Sequence, residues 1–256
     1  MQKFISLQSL GCSIALVLNL VIGVKAETPE TIPQELKTVI MEIETAANRK
    51  DLSGLMEHYS PEFTNNDGLT KESLENSLNE IWQNYPRIKY YTTIDSWEQE
   101  GDELVVKTST SIKGTQPTRG RVIRLESVIT SNQYFQDGKL LRQEILSEQT
   151  RLTSGNNPPQ VEIIAPETVK VGERYDFDVI LLEPIGDEVL LGGAIEERTG
   201  SDRYLNPTTL ELEQLQAGGI FKTTKAALLP DNQWLSAILV RGDGITMITQ
   251  RVRTER

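Results

Sequence analysis

A chain of 256 residues, 25% of them charged and 38% apolar, is long enough for one large domain or two small ones and has enough apolar content to bury a core. Acidic residues outnumber basic ones, 37 to 26, for a net charge of −11, and no basic cluster interrupts the acidity, which argues against a nucleic-acid partner and an anionic lipid surface. The only cysteine, Cys12, allows neither a disulfide nor a thiolate metal centre.

In chain order, Lys3 opens a positive segment and an apolar run from Ile14 to Val24 follows, broken by Asn19. Val24-Lys25-Ala26 ends in the small residue a signal peptidase needs, so residues 1–26 read as a cleaved secretory signal. The run is shorter than the roughly 20 residues that span a bilayer, and no stable membrane anchor is expected after cleavage. An exported protein of the bacterial periplasm or the extracellular space is the expectation. A remainder without cysteine suits the periplasm better than a disulfide-rich extracellular module.

Thr31-Ile32-Pro33-Gln34 has the form of a capping box, and Leu36, Val39, Ile40, Ile43 and Ala47 recur at helical spacing, predicting a helix that ends near Arg49. Asp51 caps a short second helix through Leu52, Leu55 and Met56. Pro61 stops it, and Tyr59 to Gly68 reads as a loop ending in the turn Asn65-Asn66-Asp67-Gly68. A third helix, capped near Thr70, carries Leu74, Leu78, Ile81 and Trp82 and ends at Pro86. Strands follow over Lys89 to Trp97 and Leu104 to Ile112, a loop over Gly114 to Gly120 with Pro117, and a long hairpin of Arg121 to Phe135 with Leu140 to Leu152 closed by Asp137-Gly138. Residues 153–160 are a linker by composition. From Val161 onward the periodicity is all strand, as in a β-sandwich.

The order of helix, helix, Tyr59-Ser60-Pro61-Glu62-Phe63 loop, helix and strand meander resembles the nuclear transport factor 2-like superfamily over residues 31–152. Ala46-Ala47-Asn48-Arg49-Lys50-Asp51-Leu52 is similar to that family's helix-to-helix turn. The resemblance implies an α+β fold: a cone-shaped N-terminal domain of helices on a curved antiparallel sheet, here followed by an all-β, immunoglobulin-like sandwich over 161–256. It also implies pairing through the open sheet, so a homodimer is plausible. The family hosts ketosteroid isomerase, polyketide cyclase and limonene epoxide hydrolase activities, and inert modules as well. Counted from the Phe63 loop, Asp67 falls where isomerase-type members keep a catalytic carboxylate. The helix phenol those enzymes need is replaced by Ile43, which cannot donate to an oxyanion.

If Asp137 and Gly138 are the two loop residues, Ser127 faces Glu148 on the side of the hairpin that carries Ile123, Leu125, Ile129, Leu146 and Leu152. Glu148 is then a carboxylate pointing into the cone. A turn offers Asp67 another role, its side chain bonding its own backbone. Tyr59, Phe63, Trp82, Tyr91 and Trp97 are the aromatics near the cone; with Asp67, Ser127 and Glu148 they are the candidate pocket residues. Aromatic lining favours a small apolar ligand. His58, the single histidine, has no neighbouring nucleophile in sequence, and no spacing indicates a metal or a phosphate loop. No cofactor is expected. The sequence therefore points to a non-enzymatic binding or interaction protein, taking a small apolar ligand or a protein partner. The alternatives are a carboxylate-pair enzyme of the hydrolase, isomerase or cyclase kind, and an assembly factor whose cone is filled by its own side chains.

Overall fold

The computed structural model describes residues 27–118, 120–186, 188–204, 206, 208–216 and 218–256. The expected signal segment 1–26, with Cys12, lies outside them.

Among the described residues, three α-helices precede the strand meander. α1 (Gln34–Arg49) starts after Pro33 without a side-chain cap. The expected capping box does not form, because the Thr31 hydroxyl turns to the Thr28 carbonyl at 2.9 Å and to Glu27 at 3.0 Å. α2 (Leu52–Glu57) is capped as expected by Asp51, whose carboxylate accepts from Gly54 N. α3 (Lys71–Asn84) has a full capping box, with Ser73 taking the place usually held by Glu. Lys50, left-handed at φ 58°, ends α1. Its ammonium donates to the Trp82, Tyr85 and Pro86 carbonyls at 3.2, 3.3 and 2.8 Å, so the end of one helix holds the end of another.

Between the helices, β1 (Tyr59–Asn65) is a strand where a loop was expected; it pairs in parallel with the strand at 139–154. β2 (Lys89–Glu100), β3 (Glu103–Thr118), β4 (Arg121–Gln136) and β5 (Lys139–Ser154) form a meander. The loop expected over 114–120 is instead the last part of β3, running opposite β4 to Thr118. Pro117 is tolerated because β2 has ended by then: its last pair with β3 is Lys89 with Lys113, which leaves one side of β3 unpaired. The strands beyond are β6 (Val161–Ile164), β7 (Thr168–Lys170), β8 (Arg174–Leu181), β9 (Leu190–Arg198), β10 (Glu213–Gln214), β11 (Gly219–Lys225), β12 (Asp231–Arg241) and β13 (Gly244–Glu255).

Pairing across the expected boundary is what distinguishes this fold. β5 is 16 residues long; β1 lies along its first part, and β13 pairs with it from Gln149 to Ser154. One sheet therefore runs β10-β9-β12-β13-β5-β4-β3-β2 through both halves. The second half does not form a sandwich separate from the first. Its three-stranded sheet, β11-β8-β6, packs over the β9-β12-β13 end of the long sheet around Phe177, Val179, Leu235, Leu239 and Val252. Thr153 and Ser154, expected in the linker, belong to β5. At the other end the helices cover the opposite face of the same sheet, burying Leu36, Ile40, Phe63, Val106, Phe135 and Leu140 in one cluster and Leu55, Met56, Trp82 and Ile88 in another.

Candidate functional site

The turn after β1 decides what Asp67 can do. Asn65, not Asp67, supplies the side chain that bonds the turn: its Oδ1 accepts from Asp67 N at 3.0 Å and Leu69 N at 2.8 Å. The Asp67 carboxylate is thereby left free, and it points inward with a fully buried side chain. Arg251 of β13 meets it with a two-pronged contact, Nη1 to Oδ1 at 2.8 Å and Nη2 to Oδ2 at 2.6 Å. The Tyr204 hydroxyl donates to the same Oδ2 at 2.6 Å.

Glu148 reaches this guanidinium from β5. Two irregularities in the β4–β5 pairing, after Tyr134 and after Thr130, each add a residue to β5. Ser127 therefore faces Thr150 and Ile129 faces Glu148, where a plain hairpin would set Ser127 against Glu148. Leu146 falls in the second bulge. Two one-residue slips cancel in a period-two strand, so Glu148 stays on the expected face. Its Oε2 accepts from Arg251 Nη2 at 3.0 Å and Nε at 3.3 Å, and from Trp234 Nε1 at 2.9 Å. Tyr204 stands edge-on to Trp234 with ring centroids 5.3 Å apart.

Both expected carboxylates thus converge on one cation, whose side chain is 0% exposed against 13% for Glu148. Burial raises the Asp67 pKa, but hydrogen bonds to Arg251, its charge, Tyr204 and Thr199 outweigh that and hold the carboxyl below its usual range. Burial is also the largest effect on Tyr204; together with the Glu148 and Asp67 charges it pushes the phenol far above the usual value. Tyr204 keeps its proton in the folded state at pH values where the unfolded chain has lost it. Its contribution is complete below about pH 10 and is lost as pH rises further. Tyr204→Phe is expected to destabilise the fold by about 1.5–3 kcal/mol at neutral pH, as for a bond to a charged group, and to flatten the decline in stability above about pH 10. Urea midpoints across pH for both proteins test this, and parallel curves would refute it.

The other candidates are spread out. Phe63 and Trp82 are core, 2% and 7% exposed. Phe63 lies edge-on to half-buried Tyr59 at 4.8 Å, and Trp82 Nε1 donates to the Tyr90 hydroxyl at 3.0 Å. Burial and the nearby Tyr90 raise the Tyr59 pKa to about 12. Trp97 packs at the rim of the core and donates to Thr31. Tyr91 is 57% exposed on the outer face, away from any interior, because it alternates with inward-facing Tyr90. Ser127 is buried and bonds Thr150 at 2.7 Å, two residues along β5 from Glu148. His58 caps the end of α2, 3.9 Å from Glu42. Open hollows of about 350 Å³ between α1 and β2, and about 550 Å³ beside Glu197, Asp202 and Arg203, contain none of the predicted pocket residues. Among the described residues no cluster of His, Cys, Asp and Glu could hold a metal.

Sequence reading did not find Arg251, Tyr204 or Trp234. Arg251 follows Ile245, Met247 and Thr249 on one face of β13, and a charge closing such a series is the only local sign of it.

Residues 156–255 match a family model described as a domain of unknown function (DUF8623). Arg251, Trp234 and Tyr204 lie inside that span; Asp67 and Glu148 lie outside it. No curated protein matches the chain. Among solved structures, Bd1075 of Bdellovibrio bacteriovorus is similar at 20% identity and a TM-score of 0.32 over 44% of this chain, which spans 39% of that protein's length. An LEH-like epoxide hydrolase of M. tuberculosis is similar at 10% identity and a TM-score of 0.31, over 43% of this chain and 80% of the other. A protein with a ketosteroid isomerase-like fold from Catenulispora acidiphila, in complex with trimethylamine, is similar at 10% identity and 0.31, over 46% and 85%.

Proposed function

We propose that this chain is an exported, non-enzymatic interaction protein in which Asp67, Glu148 and Arg251 fasten the two halves together. The observation that carries the reading is the occupancy of the Asp67 carboxylate. A general acid or base must reach a substrate proton, whereas both Asp67 oxygens are bonded inside the protein and the side chain is fully buried. The aromatic side chains expected around a ligand support the same reading, since Phe63 and Trp82 fill the interior themselves.

The test uses protein recovered from the periplasm of an expressing bacterium; a mass corresponding to a start at Glu27 is expected. It is then assayed for epoxide hydrolysis, dehydration and ketosteroid isomerisation. No turnover above background is expected. Turnover by the wild type that disappears in folded Glu148→Gln would overturn the reading and restore the carboxylate-pair enzyme.

A further inference from the structure

The open hollow between α1 and β2 lies at a gap in a row of plugs along the edge of the long sheet. β2 ends that sheet, so every second N–H and C=O of the strand points away from β3. α1 runs beside this edge and satisfies it with side chains. Asn48 accepts from Tyr90 N at 2.9 Å and donates to Tyr90 O at 2.8 Å, and Glu44 accepts from Thr92 N at 2.6 Å. Past a bulge at Asp95, Trp97 exchanges two backbone bonds with Glu27, at 2.7 and 3.2 Å. Ile94 comes next after Thr92 in the outward alternation, and it lines the hollow. There α1 presents Ile40 and Met41, which have no group to answer a backbone N–H or C=O. Among the described residues no other backbone or side chain bonds Ile94 on this side.

The hollow holds about 350 Å³, within the range of small-ligand sites. Its apolar lining is Pro29, Ile40, Met41 and Ile94; Ile40 is 5% exposed and Met41 59%. Opposite charges stand at its two ends. Asn48 meets Tyr90 and Glu44 meets Thr92, so α1 runs opposite to β2 and Lys37 falls toward the Trp97 end. Seven helical residues set Lys37 and Glu44 about 10.5 Å apart along the axis. Neither is in an ion pair among the described residues. The acids nearest on β2 and before α1 are turned elsewhere: Asp95 accepts from Ser109 at 2.7 Å and Glu27 from Thr31 at 3.0 Å.

We propose that this hollow binds a free tripeptide with apolar side chains, laid along β2 as a short parallel strand, its ammonium at Glu44 and its carboxylate at Lys37. The proposal rests on the interaction-protein reading and gives it a ligand. In a parallel pair the N–H of one residue donates to a partner carbonyl, and its C=O accepts from the amide two residues further along that partner. The first carbonyl and the last amide of a tripeptide supply both for Ile94. Three extended residues span about 10 Å, which matches the separation of the two charges. The reverse direction would set ammonium against Lys37 and carboxylate against Glu44. A longer segment would meet the Asn48 plug at one end and the Glu27–Trp97 pair at the other. A fatty acid has no donor for the Ile94 carbonyl and no cation for Glu44.

The probe is trileucine, titrated calorimetrically into protein recovered from the periplasm. It is compared with trileucine amide, which lacks the carboxylate, and with N-acetyl-trileucine amide, which lacks both charges. Trileucine is expected to bind about tenfold or more tighter than the doubly capped peptide, the worth of a lost bond to a charged group. Lys37→Met should weaken trileucine by about tenfold and leave trileucine amide unchanged, and circular dichroism should show the variant folded. The proposal is overturned by no binding of trileucine, by equal binding of the doubly capped peptide, or by a Lys37→Met loss that is the same for trileucine amide. Peptide silence leaves the non-enzymatic reading standing. Turnover in the assays above removes that reading and leaves a positive titration intact.

Discussion

Arg251→Met is expected to be the most damaging single change at the candidate site, lowering stability by about 3–5 kcal/mol, the cost of breaking a buried ion pair from one side. The methionine fills much of the arginine volume, so the loss is electrostatic. Asp67 would keep Tyr204 as donor and Glu148 would keep Trp234, but neither carboxylate would have a cation. At about 2–4 °C per kcal/mol for a chain of this size, the thermal midpoint should fall by about 6–20 °C.

The pH dependence separates this account from a packing defect. In the wild type Asp67 titrates below its ordinary range. The stability it provides is complete above about pH 4, the unfolded value, and is lost as pH falls through the folded one. In Arg251→Met the Asp67 carboxyl should titrate above its ordinary value, because burial, the largest effect on it, is then opposed only by the hydrogen bonds from Tyr204 and Thr199. Its contribution is then complete below about pH 4 and lost as pH rises, so the two stability curves slope in opposite directions in acid. Chemical denaturation of both proteins from pH 3 to 7 measures this. Parallel curves would mean that Arg251 acts through volume and not through charge.

The same cluster marks the limit of what the sequence reveals. Asp67 and Glu148 stand out locally, one in a turn and one on an apolar hairpin face. Arg251 lies 184 residues from Asp67, and nothing in strand periodicity says that β13 will pair with β5. The Asn-Asn-Asp-Gly turn is legible, but which side chain closes it is not. Asn65 wins because it can accept from two backbone amides while Asp67 has a cation to meet. The hairpin face survives and the exact partner does not, since β5 bulges at Leu141 and Leu146 and nothing in the Asp137-Gly138 turn marks those positions. Three helices and most strands follow from caps and alternation. The sharing of one sheet by both halves does not, because Thr153-Ser154-Gly155-Asn156-Asn157-Pro158-Pro159 has the composition of a linker whether or not its first residues pair.

That segment leads to the second large effect. Gly155 follows the last residue of β5 at φ +93°, a conformation that L side chains avoid, and a Cβ there would lie 2.1 Å from the Asp243 carbonyl oxygen. The β12–β13 turn is held against the segment from the side-chain direction too, with the Asp243 carboxylate accepting from Asn156 N at 3.2 Å and Nδ2 at 2.8 Å. Gly155→Ala therefore combines the left-handed penalty of about 1–2 kcal/mol with an overpacking cost of about 1–3 kcal/mol. The obstacle is backbone and cannot swing aside as a side chain would. A loss of about 2–5 kcal/mol is expected. Gly101→Ala is the control: its φ is +60°, but no atom lies within 4 Å of its Cβ position, so it should show the conformational penalty alone. If the two variants melt together, the close approach of the 155–157 segment to the β12–β13 turn is wrong. If Gly155→Ala melts several degrees lower, the chain leaves β5 locked against β13, and the two halves share a junction as well as a sheet.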